Sequence, residues 1–152
     1  MQQSIISQSQ VFDGSKLRVG VVLARFNSDI TEAMLETLIH KSSLYNIQKE
    51  NIQVYRVPGA IEIPLVLKNL AYSLHFDCLV SIGCVIRGDT THYDYVCKYI
   101  TEGVLRVSLD CNIPIGFAVL TVENHQQAVA RLDSGWTALE ASIQTYQTIK
   151  SI

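Results

Sequence analysis

The chain has 152 residues, 48% apolar and 17% charged, with 12 basic and 14 acidic side chains and a net charge of −2. Such near-neutrality excludes binding to nucleic acid or to an anionic membrane through a bulk basic field, and the apolar content excludes a disordered chain. The charged fraction lies below the about 25% of an average soluble domain, which points to outer surface covered by copies of the same chain.

One domain is expected, with residues 1–14 as an N-terminal extension and 15–152 as the folded body. Leu17 to Ala24 is almost wholly apolar, as a strand covered on both faces should be. Asn27, Ser28 and Asp29 follow as helix caps, with Glu32 three residues after Asp29, and Ile30, Ala33, Met34 and Leu38 recur at helical spacing. Ile52 to Val57 reads as a second strand stopped by Pro58-Gly59. Pro64 suits the first turn of the next helix, whose apolar side is Leu65, Leu67, Leu70, Ala71 and Leu74. Cys78 to Ile82 is a third strand, closed by Gly83. The polar stretch Arg87 to Thr91 leads into a helix carrying Tyr95, Val96, Tyr99, Ile100, Val104 and Val107. Pro114 to Leu120 is a fourth strand, and Asn124 with Gln127 caps a helix that carries Arg131 two turns in. Ser134-Gly135 breaks that helix before a last one built on Trp136, Leu139, Ile143, Tyr146 and Ile149.

Strands alternating with helices give right-handed crossovers and a parallel sheet covered on both faces, a three-layer α/β/α sandwich with four parallel strands. In such sheets ligands bind beyond the carboxyl ends of the strands. That rule gathers the unusual residues of all four units onto one rim.

Several of these residues carry chemistry. Gly83 to Thr90 mimics a phosphate loop, but Asp89 stands where that motif needs lysine, so nucleotide hydrolysis is not expected. A glycine-containing turn at a helix start still offers free N–H groups and a positive dipole end to an anion. Arg131 can pair a phosphate in bidentate fashion. His92, at the start of the third helix, suits proton transfer near neutral pH. Phe26 stands just past a strand end among polar neighbours, a place that favours stacking on a flat heterocycle. Glu62 can accept hydrogen bonds from sugar-like hydroxyls, or simply complement a helix dipole. No metal-ligand spacing surrounds His92, and no serine sits in a nucleophile turn. Cys78, Cys84, Cys97 and Cys111 form no C-x-x-C pair and read as reduced thiols. The opening Met1-Gln2-Gln3-Ser4 lacks the features of a signal peptide, and no apolar run reaches the ~18–20 residues of a membrane span. A cytoplasmic protein is therefore expected.

Four segments together resemble the lumazine synthase family: Arg25-Phe26-Asn27, VPGAIEIP at Val57 to Pro64, IGCVIRGDTTHYDYV at Ile82 to Val96, and VLTVEN at Val119 to Asn124 followed by Arg131. The likeness covers roughly residues 17 to 132. It implies a flavodoxin-like fold and a transferase of riboflavin biosynthesis. The reaction condenses 5-amino-6-ribitylaminouracil with 3,4-dihydroxy-2-butanone 4-phosphate to 6,7-dimethyl-8-ribityllumazine, without metal or organic cofactor. By resemblance, Phe26 stacks on the pyrimidine, and Ala60, Ile61 and Glu62 hold the ribityl chain. Cys84, Val85 and Ile86 offer backbone groups to the pyrimidine edge. Asp89, Thr90 and Arg131 form the phosphate site, Phe117 closes the pocket from a neighbouring subunit, and His92 carries protons. The resemblance also implies a homopentamer or an icosahedral 60-mer, with an added N-terminal strand on a neighbour's sheet. Its partners are the two small-molecule substrates and copies of itself, not nucleic acid or membrane. The alternative is a non-catalytic protein that binds flavins or ribityl compounds on the same scaffold.

Overall fold

A computed structural model describes residues 12–152. Residues 1–11, and with them the expected added N-terminal strand, lie outside the described residues. The four strands are β1 (Val19–Ala24), β2 (Ile52–Val57), β3 (Cys78–Ile86) and β4 (Ile115–Val122). All pair in parallel, in the order β2-β1-β3-β4. The helices are α1 (Ser28–Ser42), α2 (Ile63–Ser73), α3 (His92–Cys111), α4 (His125–Val129) and α5 (Ser134–Lys150).

The pleat sorts the side chains into two cores. Val19, Val21, Leu23, Val80, Ile82, Ala118 and Leu120 pack against α1 and α5, together with Met34, Leu38, Trp136, Leu139 and Ile143. Val22, Ala24, Leu79 and Val119 face α2 and α3, where they meet Ile63, Leu67, Ile100 and Val104. Fully burying each of these aliphatic side chains contributes about 1.5–3 kcal/mol. The chain leaves β1 toward one side of the sheet and β3 toward the other. The crevice between the carboxyl ends of β1 and β3 is therefore the topological switch point of the expected three-layer sandwich.

Four local expectations are corrected. First, β3 does not close at Gly83 but runs on to Ile86, because β4 extends to Val122 and supplies partners up to Ile86↔Val122. Gly83 is a packing glycine inside the strand: a Cβ there would lie 3.3 Å from Val119 Cγ1 and 3.5 Å from Ala60 Cβ. Second, α1 has no side-chain cap from Asn27, Ser28 or Asp29. Asn27 takes the left-handed conformation (φ 59°), Asp29 pairs with His125 and Glu32 with Arg56. Third, α4 ends at Val129, so Arg131 sits in the turn before α5, and Ser134 begins a helix instead of breaking one. The capping of α4 by Asn124 is as read: its Oδ1 accepts the Gln127 N–H at 2.9 Å. Fourth, Leu65, Leu74, Tyr95 and Tyr99, spaced as core residues, are exposed in the single chain. Tyr95 is 71% exposed, and Leu109 on the same helix is 72% exposed.

Candidate active site on the strand rim

The rim is built where β3 outruns β1. The β1 pairing ends at Leu23↔Ile82, while the β4 pairing continues to Ile86. The backbone of Gly83 to Ile86 therefore has one edge in the ladder and the other turned to the switch-point crevice. Asn27 reaches across this gap, and its Nδ2 donates to the Cys84 carbonyl at 2.8 Å. The left-handed backbone of Asn27, costly for most residues, aims that amide. Phe26 beside it donates its N–H to the Pro58 carbonyl at 3.1 Å and leaves its ring 73% exposed.

The chain after β2 forms the opposite wall. Glu62 Oε2 accepts the Gly59 N–H at 2.9 Å, so one carboxylate oxygen fixes the turn, a local capping bond that was not part of either reading of this residue. Ala60 is buried, Ile61 half-buried and Glu62 exposed. Cys84 is buried, and burial pushes its thiol up to about 11, with Asp29 adding to the effect; the thiol stays protonated at neutral pH. Val85 and Ile86 are half-buried. Beyond them the loop from Arg87 to Thr91 carries Asp89 and Thr90 in solvent, and His92 opens α3 with its own N–H on Thr90 Oγ1 at 3.3 Å.

The structure thus brings Phe26, Ala60, Ile61, Glu62, Asp89, Thr90 and His92 onto the segments that follow the strands, and Cys84, Val85 and Ile86 onto the last residues of β3, at the same rim. It does not bring Phe117 and Arg131 there. Both line a separate groove of about 880 Å³ along the free edge of β4, bounded by Asp133, Ser134 and Thr137 at the start of α5. Phe117 is 43% exposed. Arg131 Nη1 donates to the Gln127 carbonyl at 2.8 Å, which leaves the rest of the guanidinium to solvent.

Sequence reasoning missed three rim residues. Arg87 pairs with Glu123 (Nε to Oε2, 2.8 Å) and with Asp94 (Nη1 to Oδ1, 3.4 Å). Asn27 was read as a cap and as part of the Arg25-Phe26-Asn27 segment, but not as a donor to Cys84. His125 Nε2 lies 2.7 Å from Asp29 Oδ2, a contact that holds the Asp29 carboxyl below its ordinary range. The charged residues were visible, but their partners are remote in sequence and no local pattern pairs them.

A doubly wound α/β protein that gathers an exposed aromatic ring, a carboxylate, a polar loop at a helix start and an imidazole at the carboxyl rim of its sheet falls in a class: α/β proteins that bind small polar molecules at the switch point. Comparison with known proteins makes this specific. The 6,7-dimethyl-8-ribityllumazine synthase family matches residues 16–150. The 6,7-dimethyl-8-ribityllumazine synthase of Paracidovorax citrulli (strain AAC00-1) is 42% identical over 141 residues, 92% of each chain. The chain belongs to the 6,7-dimethyl-8-ribityllumazine synthase family, and with it to the transferases of riboflavin biosynthesis.

Proposed function

We propose that the rim of one chain and the β4 groove of another together form the site that condenses 5-amino-6-ribitylaminouracil with 3,4-dihydroxy-2-butanone 4-phosphate. The observation that carries this reading is the division of the site residues. Ten stand on the rim, whereas Phe117 and Arg131 line a groove that contains none of the ten. A pocket needing both sets closes only when a second copy presents its groove to the rim. Arg131 then belongs with Phe117, on the neighbour's side of the phosphate site, and not beside Asp89 and Thr90 of its own chain.

In this arrangement Phe26 stacks on the pyrimidine, and the crevice-facing backbone of Cys84 to Ile86 meets its polar edge. Ala60, Ile61 and the outer face of Glu62 hold the ribityl chain. The uracil amine attacks the ketone, and the carbinolamine loses water to give an imine; ring closure later releases water again. Phosphate then leaves into a seat made by Thr90, by N–H groups of the loop holding Asp89, and by the guanidinium of Arg131. His92 moves the protons that tautomerisation and ring closure require. Holding two reactants together supplies much of the rate. Exposed Tyr95, Tyr99, Leu105 and Leu109 on α3 give an apolar stripe suited to contact between copies. A homopentamer, alone or as an icosahedral 60-mer, is the assembly this reading favours, in the cytoplasm and without nucleic acid or membrane. No helix among the described residues is long and apolar enough to cross a membrane.

Purified protein mixed with both substrates should form fluorescent lumazine faster than the uncatalysed background. Tight ribityl-compound binding without acceleration would instead favour the non-catalytic alternative. Sedimentation at monomer mass in dilute buffer would overturn the shared site.

A further inference from the structure

The loop that carries Asp89, Thr90 and His92 has almost no packing of its own. Its residues from Arg87 to His92 are exposed, and a Cβ added at Gly88 would meet nothing within 4 Å. A loop so placed samples many positions unless its base is fixed. Beyond backbone hydrogen bonds at its two ends, one side chain ties its base. Arg87 enters the loop with its N–H on the Val122 carbonyl at 2.9 Å. Its guanidinium then turns back over the loop's far end, 4.3 Å from the centroid of the Tyr93 ring, and meets Asp94 Oδ1 at 3.4 Å. The same guanidinium reaches Glu123 Oε2 at 2.8 Å, in the turn after β4. Glu123 is itself held, because its N–H donates to Gln127 Oε1 at 2.8 Å. One planar, multidentate cation therefore joins the start of the loop, the residues just after His92 and the end of β4.

We propose that Arg87 is a positioning residue: it clasps the 87–92 loop closed so that His92 and the phosphate-facing N–H groups stand where the butanone phosphate reacts. With two carboxylates already on its guanidinium, Arg87 acts through the loop and does not itself receive the phosphate. This inference rests on the proposed roles of the loop.

The clasp is tested in the assembled enzyme with Arg87→Met, Arg87→Lys and Glu123→Ala, measuring kcat and the KM of each substrate. Misplacing the proton carrier should lower kcat about tenfold in Arg87→Met and raise the KM of the butanone phosphate about threefold. The KM of the ribitylaminouracil, held by the other wall and by β3, should stay within about twofold. Arg87→Lys, which keeps the charge but not the fork, should recover part of the loss. Glu123→Ala should show the same pattern more weakly, and the double variant should be no worse than Arg87→Met, as expected for groups acting as one unit. Wild-type kinetics in Arg87→Met would overturn the clasp. So would a rise of both KM values together with loss of the oligomer in Arg87→Met and Glu123→Ala, which would make Arg87 a residue of the fold alone. A wild-type enzyme that fails to accelerate the reaction would instead overturn the proposed function.

Discussion

The rim and the β4 groove differ in how completely one chain organises them. On the rim, the polar groups of the walls are paired within the chain: Asn27 holds Cys84, Glu62 holds Gly59, Asp29 meets His125, and Arg87 binds Glu123 and Asp94. In the groove, Phe117 lies open at the sheet edge, and Arg131 spends one N–H on the Gln127 carbonyl and leaves the rest of its guanidinium exposed. The walls of the rim are thus preorganised within one chain, while the groove leaves an aromatic ring and a cation uncovered.

The sharpest way to break this contrast is to disable each region separately. Arg131→Ala removes the only guanidinium of the groove and should lower kcat/KM by about 10²–10³, the scale for losing a charge-stabilising donor. His92→Ala disables the rim and should cost about 10²-fold or less, because positioning survives and the condensation also runs slowly unaided. Mixing and reassembling the two impaired proteins decides the matter. In a ring of heterologous contacts, about a quarter of the sites then join an intact rim to an intact groove, and activity should return to that level. If the mixture stays as impaired as its parts, His92 and Arg131 serve the same chain's site and the two-region picture fails.

Legibility followed the same division. The alternation of elements, the strand cores and the rim motifs all depend on residues near one another in sequence, and so they could be read in order. The extent of β3 could not, because only β4 running to Val122 keeps Gly83 to Ile86 in the ladder. Gly83 looked like a stop signal, yet it is small because Val119 and Ala60 press on it. Arg131 was grouped with Asp89 and Thr90 by the family resemblance alone. In the single chain α4 ends at Val129 and Arg131 lines the groove. Residues such as Leu65, Tyr95 and Tyr99 show the other limit. Their spacing is that of a core, yet the described residues of one chain leave more than half of each exposed.

A smaller effect is expected where the groove's supporting helix is anchored from behind. Trp136, Leu139 and Ile143 fix α5 to the sheet, and buried Glu140 on the same helix accepts a 2.9 Å hydrogen bond from the Tyr45 hydroxyl. Burial, reinforced by the Glu140 carboxylate, pushes the Tyr45 phenol up to about 12. A phenol whose value rises on folding favours the protonated, folded form. Its contribution is therefore complete below the ordinary value of about 10 and is lost as the pH climbs from there through about 12. Tyr45→Phe removes the donor while keeping the ring on Trp136, whose centroid lies 5.5 Å away, and should cost about 1–2 kcal/mol at neutral pH. Between pH 10 and 12 the variant's stability should fall less steeply than the wild type's, in denaturant titrations of both proteins. Because α5 carries Thr137, Ala138 and Ala141 into the groove, this loosening should weaken assembly before it touches the chemistry of rims that remain paired. Parallel slopes for the two proteins across that alkaline range would show that Tyr45 and Glu140 do not hold α5 by this bond. The groove's shape would then rest on apolar packing alone.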